Sequence, residues 1–66
     1  MIEKKYRIID KKELKTIVPY SYQHILRLEK SGKFPLRVKI GESRVGWVEE
    51  EIMDWISLKI SERDNH

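Results

Sequence analysis

The stretch from Pro19 to Trp47, PYSYQHILRLEKSGKFPLRVKIGESRVGW, constrains the fold more than any other part of the chain. Pro19 forces a preceding helix to stop at Val18, because the residue before a proline is pushed out of the α region. Ser21 is an N-cap candidate whose hydroxyl can accept the free amides of the next turn. The spacing predicts a second helix from Tyr22 to Ser31, with Gly32 placed to end it in a left-handed conformation. Lys30 falls in its last turn, where the helix dipole favours a cation. Only Pro19 to Ser21 separate the two helices, the tight turn of a helix-turn-helix. Phe34-Pro35 then leaves in extended form. Val38 and Ile40 alternate with Arg37 and Lys39, and Val45 and Trp47 alternate with Arg44 and Gly46. With Gly41-Glu42-Ser43 between them and Arg44 at the edge, these runs predict a two-stranded hairpin. A helix that fits a groove, flanked by such a hairpin, is the layout of a winged helix-turn-helix DNA reader.

The flanks complete that layout. Residues 1–7 are charged and predicted to be loose, apart from a packing role for Tyr6, and Ile8-Ile9 is a short apolar lead-in. Asp10 followed by Glu13 resembles a capping box. Leu14, Ile17 and Val18 fall on one face of the first helix, away from Lys11, Lys12 and Lys15. A third helix is predicted from Glu49, where three successive glutamates suit a helix N-terminus. Ile52, Trp55, Ile56 and either Lys59 or Ile60 share its inner face, and Glu62 to His66 are expected to fray. The expected fold is mostly α with a small β-hairpin: helix, turn, helix, two-stranded wing, helix. It forms one DNA-binding domain over residues 1–66, with an ordered core of about 7–61.

Size and composition remove several function classes. A chain of 66 residues has a small core and no room beside it for an enclosed active-site cavity. It contains no cysteine, hence no disulfide framework, thiolate metal site or thiol nucleophile. No signal peptide is expected at MIEKKYRIID, and no apolar run approaches the roughly 20 residues needed to span a membrane. A cytoplasmic protein is expected. The net charge of +3 conceals a polarised distribution: residues 1–47 carry twelve Lys/Arg against five Asp/Glu, whereas residues 48–66 carry two against six. Such a chain offers one face to a polyanion.

At 100° per residue, Ile25 and Leu28 form the buried stripe of the second helix, and Tyr22, Gln23, Leu26, Arg27 and Lys30 are assigned to the opposite face. Arginine reads guanine and glutamine reads adenine through paired hydrogen bonds, which fits Arg27 and Gln23 to a major groove. Tyr22, Lys30 and Ser21 suit phosphates. Leu26 either meets a thymine methyl or packs at the core rim. At the wing, Ser43 and Arg44 are contact candidates, with Arg44 either in a minor groove or along a phosphate. Lys33, Arg37 and Lys39 flank it as phosphate partners, and Lys11, Lys12 and Lys15 are secondary candidates. His24 has only His66 as a histidine partner and lies in no metal-ligand spacing. Trp47 and Trp55 read as core. No nucleophile–base set, phosphate-binding glycine loop or paired acid and base is present. No catalysis, cofactor, metal or small-molecule ligand is therefore expected.

The segments VPYS, HILRLEKSGKFP and VKIGESRVGWVEEEIMDWI resemble the AlpA family of prophage regulatory proteins, within the wider excisionase-like and MerR-like winged-helix group. The strongest marks are Gly32-Lys33-Phe34-Pro35, Arg44-Val45-Gly46-Trp47 and the glutamate-rich last helix that reaches Trp55-Ile56. The resemblance covers about residues 7 to 58. Family members often carry a Ser-Arg-Ser-Thr-Ile run where this chain has Ser21-Tyr22-Gln23-His24-Ile25, so scaffold positions agree and reading positions differ. The resemblance implies a small DNA-binding transcriptional regulator, usually encoded on a prophage or integrated element. Excisionase relatives instead bend DNA and steer recombination. An adaptor that presents the basic face to an acidic protein is the reading from another class. A monomer in solution, pairing at most on adjacent DNA sites, is expected because Ile52, Trp55 and Ile56 are all needed to close the core.

Overall fold

In the computed structural model, residues 5–63 are described. They form, in chain order, β1 (Ile8–Ile9), α1 (Lys11–Ile17), α2 (Tyr22–Lys30), β2 (Val38–Lys39), β3 (Val45–Val48) and α3 (Glu49–Arg63). The local signals act as their chemistry requires. The Asp10 carboxylate accepts the Glu13 amide at 2.8 Å and opens α1. Val18, extended at φ −119°, closes it. The Tyr20 amide then donates to the Val18 carbonyl at 2.8 Å, a three-residue turn centred on Pro19. Ser21 Oγ accepts the His24 amide at 3.2 Å and starts α2. At the other end, Gly32 stands at φ +73°. Its amide donates to Glu29, and the Lys33 amide donates to Leu28 at 2.8 Å. This paired closure is a Schellman motif.

The wing is part of a three-stranded antiparallel sheet in the order β1-β3-β2. Val38 pairs with Gly46 and Lys39 with Val45, so Val38 shares the Gly46 and Val48 face of the sheet, whereas Lys39 shares the face of Val45 and Trp47. Ile8 pairs with Val48 and Ile9 with Trp47 on the other edge of β3. The apolar lead-in is therefore a strand, and it makes β3 the central one. Gly46 is the reason the strands come so close. A Cβ there would lie 2.5 Å from Ile8 Cγ2 and 2.9 Å from the Ile9 carbonyl oxygen.

The buried core is Ile9, Leu14, Val18, Ile25, Phe34, Trp47 and Ile52, drawn from every layer of the fold. Trp55 and Ile56 pack partly buried against it, and the Trp55 indole N–H donates to the Lys33 carbonyl at 2.9 Å. This bond pins the loop after α2 to α3.

Three expectations are corrected. Arg7 is not loose: its guanidinium bridges Glu13 and Glu49, each at 2.8 Å, and its carbonyl accepts the Glu49 amide. It thereby joins the first turns of α1 and α3. Glu62 and Arg63, expected to fray, belong to α3, whereas residues 64–66 lie outside the described residues, as do residues 1–4. Ile40, which alternates with Lys39 as an apolar strand position, does not enter the core: it is 47% exposed, because the register turns it with Val38 toward Gly46 and Ile8, on the face opposite Trp47. No helix among the described residues is long and apolar enough to cross a membrane.

Candidate nucleic-acid interface

Helix α2 turns Ile25 into the core and leaves Gln23, Arg27 and Lys30 exposed. All three lie well away from Ile25 around the helix axis, at 100° per residue. Leu26 is half-buried at the flank of that face. Tyr22 is placed differently from expectation. It falls only about 60° from Ile25 on the wheel. Its ring packs edge-on to Trp47 at 6.3 Å, with Lys11 Nζ 4.5 Å above it. His24 stacks edge-on to Tyr20 at 4.6 Å, and Tyr20 in turn meets Trp55. It is a packing residue at the turn.

The exposed face of α2 and the wing open onto two adjoining clefts. One, of about 300 Å³, is lined by Leu26, Glu29, Lys30, Leu36 and Arg37. The other, of about 510 Å³, runs on to the wing tip along Arg37, Lys39, Ser43 and Arg44, with the Glu42 carboxylate also at its edge. Lys11 and Lys12 approach the same tip, sharing a shallow recess with Ser43 and Arg44. The structure thus gathers Leu26, Lys30, Arg37, Lys39, Ser43 and Arg44 onto one continuous surface. Lys33 is exposed just past the end of α2, Ser21 accepts in the helix cap with its own O–H left to donate, and Tyr22 belongs to another recess beside Lys15 and Tyr20.

Pairing divides the basic residues. Arg27, Lys30, Lys33, Lys39 and Arg44 have no carboxylate partner among the described residues. Arg7 is held by two glutamates, and Arg37 donates to Glu29. Unpaired cations spaced along a helix and an adjacent hairpin can neutralise a row of phosphates. Paired ones add little to that field.

Two residues of this region escaped the sequence reading. Leu36, 68% exposed, lines both clefts. Glu29 is the only buried charged side chain among the described residues. Its position was available in principle, since Glu29 lies one helical turn from Ile25 and beside Leu28, on the buried stripe. The charge argued against burial, and the donors that satisfy it come from beyond the helix: Arg37 in the loop before β2 and Trp47 in β3. Among the described residues no group of His, Cys, Asp and Glu is arranged to hold a metal ion.

No curated protein and no solved structure gives a significant match to the chain. The family model described as Prophage CP4-57 regulatory protein (AlpA) matches residues 7–60, from the Arg7 bridge through the sheet and most of α3. The chain accordingly belongs to the AlpA family of prophage regulatory proteins.

Proposed function

We propose that this AlpA-family regulator binds duplex DNA sequence-specifically, with α2 in the major groove and the wing on the backbone or in the minor groove. It acts as a transcriptional regulator of a prophage or integrated element, by binding and without catalysis. The observation that carries this reading is the selective exposure of cations. Arg27 and Arg44 project without carboxylate partners from α2 and the wing, whereas Arg7 and Arg37 are consumed within the fold.

The roles follow from side-chain chemistry. Arg27 and Gln23 lie outermost on α2 and supply directional hydrogen bonds to base edges. Lys30, Lys33, Lys39 and Arg44 neutralise phosphates, with Ser21 and Ser43 as neutral backbone donors. Tyr22, packed against Trp47, contributes from the edge of the helix. Leu26 and Leu36 offer apolar contact to a thymine methyl or deoxyribose.

The test is fluorescence anisotropy on specific and scrambled duplexes over a salt series. Arg27→Ala is expected to cost about 1–3 kcal/mol on the specific site and little on scrambled DNA, because a bidentate base contact is lost. Lys39→Ala is expected to weaken both duplexes alike and flatten the salt slope by about one unit. An unchanged ratio of specific to scrambled affinity in Arg27→Ala would remove α2 as the reading head. An excisionase-type role uses the same contacts and is favoured instead if the bound duplex is sharply bent. Saturable binding to one protein without DNA affinity would favour the adaptor reading.

A further inference from the structure

We infer that Glu29 is a positioning residue for DNA reading: it locks the wing to the back of α2 and withholds the Arg37 guanidinium from the phosphate backbone. This rests on the proposed DNA-binding role and adds a determinant of specificity to it.

The geometry is that of a clamp. Glu29 sits in the last turn of α2 with its side chain 4% exposed. One carboxylate oxygen accepts the Trp47 indole N–H from β3 at 3.1 Å. The other accepts the Arg37 guanidinium, which enters from the residue preceding β2. A single side chain of the reading helix is thereby bonded to β3 and to the residue that leads into β2. The angle between helix and wing decides whether base and phosphate contacts can form together.

Stability explains an acceptor for the buried Trp47 indole N–H, but not the ion pair. Burying an ion pair costs desolvation that its mutual attraction barely repays, and an apolar residue of similar volume commonly does as well. A methionine at position 29 would sit beside Ile25 and Leu28 without that cost. What the carboxylate does, and methionine cannot, is hold Arg37 and the Trp47 indole N–H together; the indole alone needs only a neutral acceptor, so the charge is there for Arg37. The Arg37 side chain is 40% exposed and lines both clefts beside Lys30, Lys39 and Arg44. Released, it would add one unpaired cation to the middle of the basic surface and strengthen binding to any duplex. Paired, it leaves the surface with fewer sequence-blind contacts and a fixed wing.

The experiment compares the wild-type chain with Glu29→Gln, Glu29→Met and the double variant Glu29→Gln/Arg37→Gln. Glutamine retains an acceptor for the Trp47 indole but carries no charge for Arg37. Circular dichroism and thermal melting establish folding. The Trp47 indole and Arg37 guanidinium proton resonances report the clamp in the absence of DNA. Glu29→Gln is expected to speed exchange of the Arg37 protons and to steepen the salt slope on scrambled duplex by about 0.9, one further phosphate. At physiological salt that corresponds to about fivefold tighter scrambled-duplex binding. Affinity for the specific site should rise less, so that discrimination falls. Glu29→Met is expected to act likewise, and the double variant to return the slope to its wild-type value. Folded Glu29→Gln and Glu29→Met with wild-type slope and discrimination would overturn the inference, as would the failure of both to fold. If wild-type protein itself shows no salt-dependent duplex binding, the DNA-binding reading fails, whereas the Arg37 resonances still show whether the clamp exists.

Discussion

Replacing Trp47 with alanine removes the largest fully buried side chain, at 0% exposure, from the point where β3, α2 and α3 meet. Truncating a buried large aromatic costs about 3–5 kcal/mol. A folded chain of this size has total stability of about 3–10 kcal/mol, from about 0.05–0.15 kcal/mol per residue. Trp47→Ala should therefore leave much of the population unfolded. The indole does two things, and a second variant separates them. Phenylalanine keeps much of the ring volume but deletes the N–H that satisfies Glu29 at 3.1 Å. Arg37 still pairs with that carboxylate, so Trp47→Phe is expected to cost about 1–3 kcal/mol, the range for one lost partner of a buried polar group. At about 4–8 °C per kcal/mol for a domain of this size, the two variants should melt at clearly different temperatures. The assay is urea and thermal denaturation followed by far-ultraviolet circular dichroism, with Trp55 fluorescence as a second probe. If Trp47→Ala melts within a few degrees of wild type, the residue is not core and the β3 register is wrong. If phenylalanine is as damaging as alanine, ring volume is not what Trp47 supplies.

Gly46→Ala places a methyl group 2.9 Å from the Ile9 carbonyl oxygen, a backbone atom that cannot swing aside. The expected loss is about 1–3 kcal/mol, the range for overpacking, and amide exchange should show that β1 separates from β3 first. Ser21→Ala deletes the acceptor of the His24 amide and should cost about 1 kcal/mol, visible as a lower urea midpoint with unchanged slope. In solution the free chain is expected to sediment as a monomer at micromolar concentration. Ile52, Trp55 and Ile56 pack into the core, and of the exposed apolar residues of α3, Met53 and Ile60 share a face from which Leu58 lies about 140° away. A tight dimer without DNA would contradict this.

What was legible in the sequence was governed by short-range chemistry. Asp10, Pro19, Ser21 and Gly32 mark helix ends because each capping interaction spans only a few residues. The hairpin was legible for the same reason, since two alternating runs flank a short turn, but its register was not: Lys39 rather than Val38 stands opposite Val45. What escaped was fixed by distant partners. Ile8-Ile9 is too short to show strand periodicity and becomes a strand only because Trp47 and Val48 offer a free edge. Arg7 looked like one more loose cation until the chain brought Glu49 back beside Glu13. Tyr22 lies about 60° from Ile25 on the helix, and its ring follows that angle to Trp47 rather than joining Gln23 and Arg27.

Charge is where these two kinds of information meet. The excess of cations in residues 1–47 is a sequence property, but the field they present is a structural one. Arg7 is absorbed in joining α1 to α3, and Arg37 in joining α2 to the wing. The acidic first turn of α3 suits the helix dipole. A generic polyanion binder gains from every exposed cation. A selective reader gains only from those whose positions are fixed relative to the directional groups at Gln23 and Arg27, because phosphate contacts set register while base contacts choose sequence. On the proposed function, a fold that uses two of its arginines to hold the reading helix, the wing and the supporting helices in place, and leaves two others projecting, suits the second task.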